Sequence, residues 1–250
     1  YYKGKTIADK VNSLRWNGSI KDIELYTEDL ACFYSPLKGL KQKIFIAADC
    51  SLVPNKFEFR DIRLNNAEKN VQLKSDLQLE TQNKTLQKAV ADISNVKIDK
   101  QGITLIKEVL HRIKPNADLE KLPFWTTIDE LTANGVLDYE KDKENFAQLD
   151  LVTNLGSAEA NVHWKDLDFK GDVSTKNLDM AKLFSKERMP KGISASVSGQ
   201  LDINNRKNPT VDALANIEQI EYNNHLFKDI SVPGTLNDHH CVADFTSSND

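Results

Sequence analysis

DFKGDVSTKNLDMAKLF, Asp168–Phe184, is the stretch on which the reading of this chain turns. Phe169, Gly171 and Val173 alternate with Lys170 and Asp172. That is the two-residue period of a strand with one buried face. The pattern breaks at Ser174-Thr175 and passes into a short amphipathic turn, Leu178–Phe184. A faint copy, IELYTEDLACFYSPL, stands at Ile23–Leu37. Thr27 matches Thr175, Asp29 matches Asn177 and Leu30 matches Leu178, all at one offset (178 − 30 = 148). A proline, a glycine and a long alternating strand follow each copy: Pro36, Gly39 and Ile44–Leu52, then Pro190, Gly192 and Ile193–Ile203. A unit of strand, helical turn and strand used twice predicts a repeat architecture.

Outward from this unit the chain reads as strand after strand. Upstream, Trp16–Tyr26 is a strand and Glu28–Leu37 a turn. Thr6–Trp16 fits helical and strand spacing equally. In Phe57–Leu64, Phe57 and Phe59 lie on one phase and Ile62 and Leu64 on the other, which predicts a bulge at Arg60-Asp61. Val71–Leu79 is a clean strand, Thr81–Gln87 a polar loop, and Ala89–Ile98 one or two strands broken at Ser94-Asn95. Ile103, Ile106, Val109, Leu110 and Ile113 then recur at helical spacing until Pro115. Asp118–Leu122 adds a possible further turn. Ile128–Tyr139 is a strand interrupted at Gly135, and Phe146–Leu155 ends at Gly156-Ser157. Ala158–Trp164 and Leu167–Val173 lead into the opening stretch, and Asn204–Pro209 is a turn. Val211–Tyr222 and Leu226–Leu236 flank Asn223-Asn224, a pair suited to a type I′ turn. Val242–Phe245 closes the series.

Alternating strands with turns every 8–12 residues predict a mainly antiparallel all-β protein. One face of each strand is apolar, so it must be buried on something. A barrel or sandwich would bury it within the protein, and a long open gutter would bury it on a ligand. The residues expected to line such a face are Ile44, Ile46, Val71, Leu73, Leu77, Leu79, Leu149, Leu151, Leu155, Val162, Trp164, Phe169, Val173, Ile193, Val197, Leu201, Ile203, Val211 and Ile217. Leu30, Phe33, Leu178, Leu183 and Phe184 would form the corner turns. The chain divides into a first strand run, 1–100, with its corner at 28–37, a helix and connector, 101–125, and a second run, 126–250, with its corner at 174–186. These read as one continuous elongated unit.

Composition narrows the function classes. In 250 residues, 33 basic against 37 acidic side chains give −4, with no basic stripe for nucleic acid. Charged residues at 28% and hydrophobic ones at 40% fit an ordered soluble chain. No apolar run is long enough for a transmembrane helix. The start, YYKGKTIADK, has neither a Met nor a signal-peptide core, so the chain reads as a fragment of something longer. Three cysteines, Cys32, Cys50 and Cys241, do not make a disulfide framework. Cys50 is in phase with Ile44, Ile46, Ala48 and Leu52 and reads as a small buried hydrophobe.

Chemistry-bearing residues are scattered. His239-His240-Cys241 after Asp238 has metal-ligand types, but adjacent strand residues point to opposite faces. His111 lies off the helix's apolar stripe, and His163 alternates with Val162 and Trp164 on the polar face. Cys32 between Leu30 and Phe33 reads as core rather than as a nucleophile. Asp129-Glu130 and Glu140/Asp142 read as turn charges. Asn17-Gly18-Ser19 and Asn83-Lys84-Thr85 match the glycosylation sequon, which a bacterial source would make coincidence, and Trp125, Trp164 and Tyr222 read as packing aromatics. None of the common catalytic or nucleotide-binding motifs is present. The expectation is a protein that is not an enzyme, with no cofactor and no metal.

Four stretches together resemble a known family: SIKDIELYTEDLACFYSPLKGLKQK, FKGDVSTKNLDMAKLF, the helix ITLIKEVLHRI, and IEQIEYNNHLFKDISVPGTLNDHHCVADF. Their order is similar to a segment of the TamB-like members of the AsmA superfamily (translocation and assembly module) in the form found in Bacteroidetes. The likeness covers most of the chain and rests on pattern rather than invariant residues. Leu178 stands where such segments often carry an aromatic. Val232-Pro233-Gly234 puts a proline where a plain strand would continue, which predicts an edge or a bulge. The resemblance implies a curved sheet forming a β-taco, or groove, with an apolar inner face. It also implies a long periplasmic protein of a Gram-negative cell envelope, anchored in the inner membrane. Such a protein passes phospholipid towards the outer membrane or assists protein assembly there with a TamA- or BamA-like barrel. The alternative from the strand pattern alone is a compact β-sandwich that binds carbohydrate or protein at the cell surface.

Overall fold

A computed structural model of the chain describes residues 15–32, 35–83, 85–113, 124–205, 208–237 and 240–247. Among these, strands β1 (Trp16–Tyr26), β2 (Lys43–Val53), β3 (Lys56–Asn66), β4 (Val71–Gln82) and β5 (Thr85–Asp99) come first. A helix, α1 (Lys100–Ile113), and a single turn, α2 (Phe124–Thr127), lead to β6 (Glu130–Glu140), β7 (Asn145–Thr153), β8 (Gly156–Lys165) and β9 (Asp168–Leu178). A short helix, α3 (Met180–Leu183), precedes β10 (Lys191–Asp202), β11 (Thr210–Tyr222), β12 (His225–Asn237), β13 (His240–Ala243) and β14 (Thr246–Ser247). All belong to one antiparallel sheet in strict chain order from β1 to β13, with β14 also on the outer edge of β12. β1 and β13 do not pair with each other, so the sheet is open.

Short turns keep neighbouring strands in register, and each matches its residues. Asn223 and Asn224 both have positive φ, 51° and 62°, as a type I′ turn requires. Asn55, Asn83, Asp142 and Asp166 also occupy the left-handed region that Asn and Asp tolerate best. The register lays out rows of apolar residues across the whole sheet. One runs Ile23, Ile46, Leu64, Leu73, Val96, Ala133, Leu151, Ala158, Thr175, Ala195, Ile217, Ile230. A second runs Gly18, Cys50, Phe59, Leu77, Ala91, Leu137, Ala147, Val162, Gly171, Gly199, Ala213, Gly234, Ala243. The opposite face is mostly polar, with Asn134 donating to Asp150 (3.1 Å) and Asn161 to Asp172 (3.0 Å), though Phe45, Val136, Phe146, Val152 and Leu214 also lie on it.

Between β1 and β6 a line of bulges crosses the strands at one level. Register shifts fall at Ile20/Ile23, Ala47/Asp49, Phe59/Ile62, Lys74/Ser75 and Ile93/Val96. The bulge expected at Arg60-Asp61 is there, with Asp61 at φ 47°. It puts Phe57, Phe59, Ile62 and Leu64 on the same face despite their opposite phases. The break expected at Ser94-Asn95 is likewise a bulge within one continuous strand, β5. No shift occurs between β6 and β9.

At one end of the sheet, tight turns alternate with helical connections. The helical ones follow β1, β5 and β9, giving a period of four strands. The first holds 3-10 turns at Asp29–Cys32 and Ser35–Leu37. These connections are stitched together along the sheet end. Arg112 of α1 donates to the Lys38 carbonyl (2.8 Å), and α1 contacts α2, which contacts α3. In the β7–β8 turn, Asn154 binds the Thr127 carbonyl and the Asp129 N–H, and the Leu155 carbonyl accepts from Asp179 N–H (2.8 Å).

Several expectations need correction. The strand of the opening stretch does not break at Ser174-Thr175. β9 continues to Leu178, because Thr175, β-branched, takes its place in the apolar row between Ala158 and Ala195. Thr81–Gln87 is not a loop: β4 runs to Gln82 and β5 begins at Thr85, with a turn at Asn83. Gly135 does not interrupt β6; it is buried mid-strand where a Cβ would lie 2.4 Å from the Gln148 carbonyl oxygen. β7 turns at Asn154-Leu155, one step before Gly156-Ser157, which begin β8. Pro233 lies inside β12, paired to Leu214, and its carbonyl accepts from Asp244 N–H on the outer side. Its missing donor therefore faces the gap between β13 and β14. Residues 1–14, Asp118–Leu122, Asp238 and His239 lie outside the described residues.

α1 approaches the β3–β4 turn so closely that a Cβ on Gly102 would stand 2.2 Å from the Asn70 carbonyl oxygen. Helix propensity alone favours alanine there by about 1 kcal/mol. Overpacking against backbone costs about 1–3 kcal/mol. Gly102→Ala is expected to lower the melting temperature, and a rise would show that α1 can shift away from the turn.

Candidate functional site

The feature with functional potential is the apolar face. Ile44, Ile46, Val71, Leu73, Leu77, Leu79, Leu149, Leu151, Val162, Trp164, Phe169, Val173, Val197, Leu201, Val211 and Ile217 all fall on it by register. Three other expected residues do not belong to the regular rows. Leu155 sits in the β7–β8 turn and is buried. Ile193 pairs with Leu178 beyond a register shift, next to α3. Ile203 follows β10 and donates its N–H to the Leu167 carbonyl. Leu155 and Ile203 lie beyond a strand end and Ile193 beyond a register shift within β10, so the alternation that selected them no longer applies.

The face is poorly covered. No described side chain is less than 2% exposed. Leu149, Val173, Val197 and Leu201 are 46%, 43%, 42% and 38% exposed, although each sits in an apolar row. Along the sheet, twelve strand gaps at about 4.8 Å make the rows roughly 58 Å long. That is about twice the 30 Å hydrocarbon core of a bilayer.

Among the described residues the main buried cluster lies at the helical end, while Ala48, Cys50 and Ala89 are buried further along the face. Ile98, Ile103, Ile128 and Leu155 form the buried cluster, with Val71, Val96, Ile106, Phe124, Trp125, Leu131 and Leu183 packed on it. Val71, Val96, Ile98 and Leu131 belong to the sheet's apolar face; Ile103 and Ile106 come from α1. The helix stripe therefore closes one end of the rows. Leu183 joins this plug as a corner residue, Leu178 is half-buried, and Phe184 is 38% exposed. The side chains of Leu30, Cys32 and Phe33 lie outside the described residues. The contribution of α1, Phe124 and Trp125 escaped the sequence reading. Its one signal was the apolar stripe of the helix, whose partner surface periodicity cannot name.

α1 is held at its start by Asp99, whose Oδ1 accepts the Gly102 N–H (2.9 Å). Asn70 donates to both Asp99 oxygens and links them to Asn66. The Gly102 N–H and then Asn70 hold the Asp99 carboxyl below its ordinary range, against the opposing effect of burial. Cys50 is a buried residue of the second row, and that burial, reinforced by Asp49, pushes its thiol up. Cys241 is exposed. His163 is on the polar face, 3.9 Å from Glu144 and against the Phe146 ring. His240 opens β13, and the described residues contain no group of three metal-ligating side chains. No described helix is long and apolar enough to cross a membrane.

Searches against protein-family models, curated proteins and solved structures found no match to the chain.

Asp99 has a depressed folded-state pKa, so its contribution is present above the unfolded carboxylate pKa and is lost as pH falls through the folded one. Asp99→Ala is expected to cost about 1 kcal/mol at pH 7, as loss of a helix cap does. The difference should shrink as pH drops below about 4. Denaturant melts across pH check this, and a pH-independent difference would count against the cap.

Proposed function

We propose that this chain is a non-enzymatic, lipid-conducting segment of a TamB-like protein of the AsmA superfamily. Its sheet curves into a groove whose apolar face takes phospholipid acyl chains in the periplasm. The full-length protein is anchored in the inner membrane and works towards the outer membrane in lipid transport or in protein assembly with a TamA- or BamA-like barrel. One observation carries the proposal: an apolar face continuous over thirteen strands, capped at one end and, among the described residues, left exposed at Leu149, Val173, Val197 and Leu201.

Burying a methylene on such a face gains about 0.8 kcal/mol. Rows of Ala, Val, Leu and Ile offer contact without direction, so affinity comes with little positional preference. A chain can then slide from strand to strand, which conduction needs. The polar back keeps the other side wetted. A compact sandwich binding carbohydrate or protein needs a second sheet over the apolar face, and all described strands belong to one sheet.

Protein purified without detergent is expected to yield phospholipid on organic extraction and mass spectrometry. Val173→Glu with Val197→Glu alters two half-exposed positions, so stability should change by no more than about 1 kcal/mol each. Lipid recovery should fall severalfold. Absence of lipid from the parent protein, or undiminished lipid in a folded double variant, would contradict the proposal.

A further inference from the structure

The corner between β9 and β10 carries a cavity of about 510 Å³ that the apolar rows do not account for. It lies among α2, the β7–β8 turn, α3 and the start of β10. Leu155 and Ala181 are its buried apolar lining residues. Leu155 also belongs to the cluster that plugs the apolar face, so the cavity borders the capped end of that face. Its size falls in the range of small-molecule sites.

Its charge is lopsided. Lys182, Lys186 and Lys191 all line it, against Asp129 and Glu187. Asp129 is taken by Lys100 at 2.6 Å, outside the lining set. Lys182 has Asp179 at 3.5 Å, a carboxylate already accepting the Lys182 N–H at the start of α3. Among the described residues, Lys186 and Lys191 have no carboxylate within ion-pair distance. Lys191 stands opposite Glu221 across β10 and β11, and Lys186 beside it has no facing carboxylate among the described residues. Lysines at a half-apolar cavity suit a phosphate, which lysine binds as a point charge.

We infer that this cavity binds the phosphate of an anionic lipid headgroup at the capped end of the apolar face. The inference rests on the reading of that face as an acyl-chain site. It assigns the corner a selective role beside the unselective rows, so that phosphate-bearing lipids dwell at one end.

Calorimetry on the full chain separates the two claims, using monomeric dihexanoyl phosphatidic acid, dihexanoyl glycerol and inorganic phosphate as probes. Phosphatidic acid is expected to bind on the order of tenfold more tightly than the diacylglycerol, the worth of one or two charge-assisted bonds. Lys186→Gln with Lys191→Gln should abolish that preference and leave diacylglycerol binding unchanged; both residues are exposed, so the fold should persist. Lys165→Gln with Lys170→Gln, on other exposed positions, should leave the preference intact. No preference in the parent protein, or a preference that survives the first double variant, overturns the headgroup site while the acyl-chain reading stands. Inorganic phosphate binding as tightly as phosphatidic acid would make this a free-phosphate site and also overturn it. Binding of neither lipid removes the acyl-chain reading and the headgroup site together.

Discussion

Everything in this protein depends on strand register. Side chains alternate with a period of two, so a slip of one residue in any hairpin would turn that strand's apolar set to the wet face. Over thirteen strands such a slip anywhere would break the rows into two offset halves. The chain prevents this with turns that leave little freedom. Asn55, Asp142, Asp166, Asn223 and Asn224 adopt left-handed backbone at the hairpin ends. Asn66, Asn70 and Asn145 are buried and bond to turn or strand backbone or to each other. Where the phase does slip, as between Phe59 and Ile62, a bulge absorbs the extra residue and restores the face.

The second constraint is the sheet's one closed end. All the described strands form one sheet, and its largest buried cluster forms where the α1 stripe and the corner turns meet the strand ends. The corners recur every four strands, after β1, β5 and β9, and neighbouring ones touch. Each unit thus contributes a helical connection to a continuous rim, while its strands extend the rows. Along the second run, Leu149, Val173, Val197 and Leu201 remain well exposed on the apolar side.

Much of this was legible in the residues. Strand positions, the Arg60-Asp61 bulge, the Asn223-Asn224 turn and the shared face of most apolar residues follow from alternation and turn chemistry, which are local. The echo between Ile23–Leu37 and Asp168–Phe184 revealed two of the corners. It missed the third because α1 is a much longer connection with its own helical period. What stayed illegible was non-local. Nothing in the periodicity says that Gly135 sits against a neighbouring carbonyl, that Pro233 faces a gap between two short strands, or that Ile103 covers Ile98 instead of solvent. The lysines of the β9–β10 corner read as an ordinary charged turn until α2 and the β7–β8 turn were seen to stand beside them.

The central claim is that one face of this sheet, and not the other, meets lipid. Val173 on the apolar face and Val152 on the polar face are both exposed valines, at 43% and 54%. A photo-crosslinking amino acid placed at either site, in protein mixed with phospholipid vesicles and irradiated, compares the faces at equal accessibility. The account predicts lipid adducts at 173 and few or none at 152. Equal labelling at the two positions, or labelling at 152 alone, would contradict it.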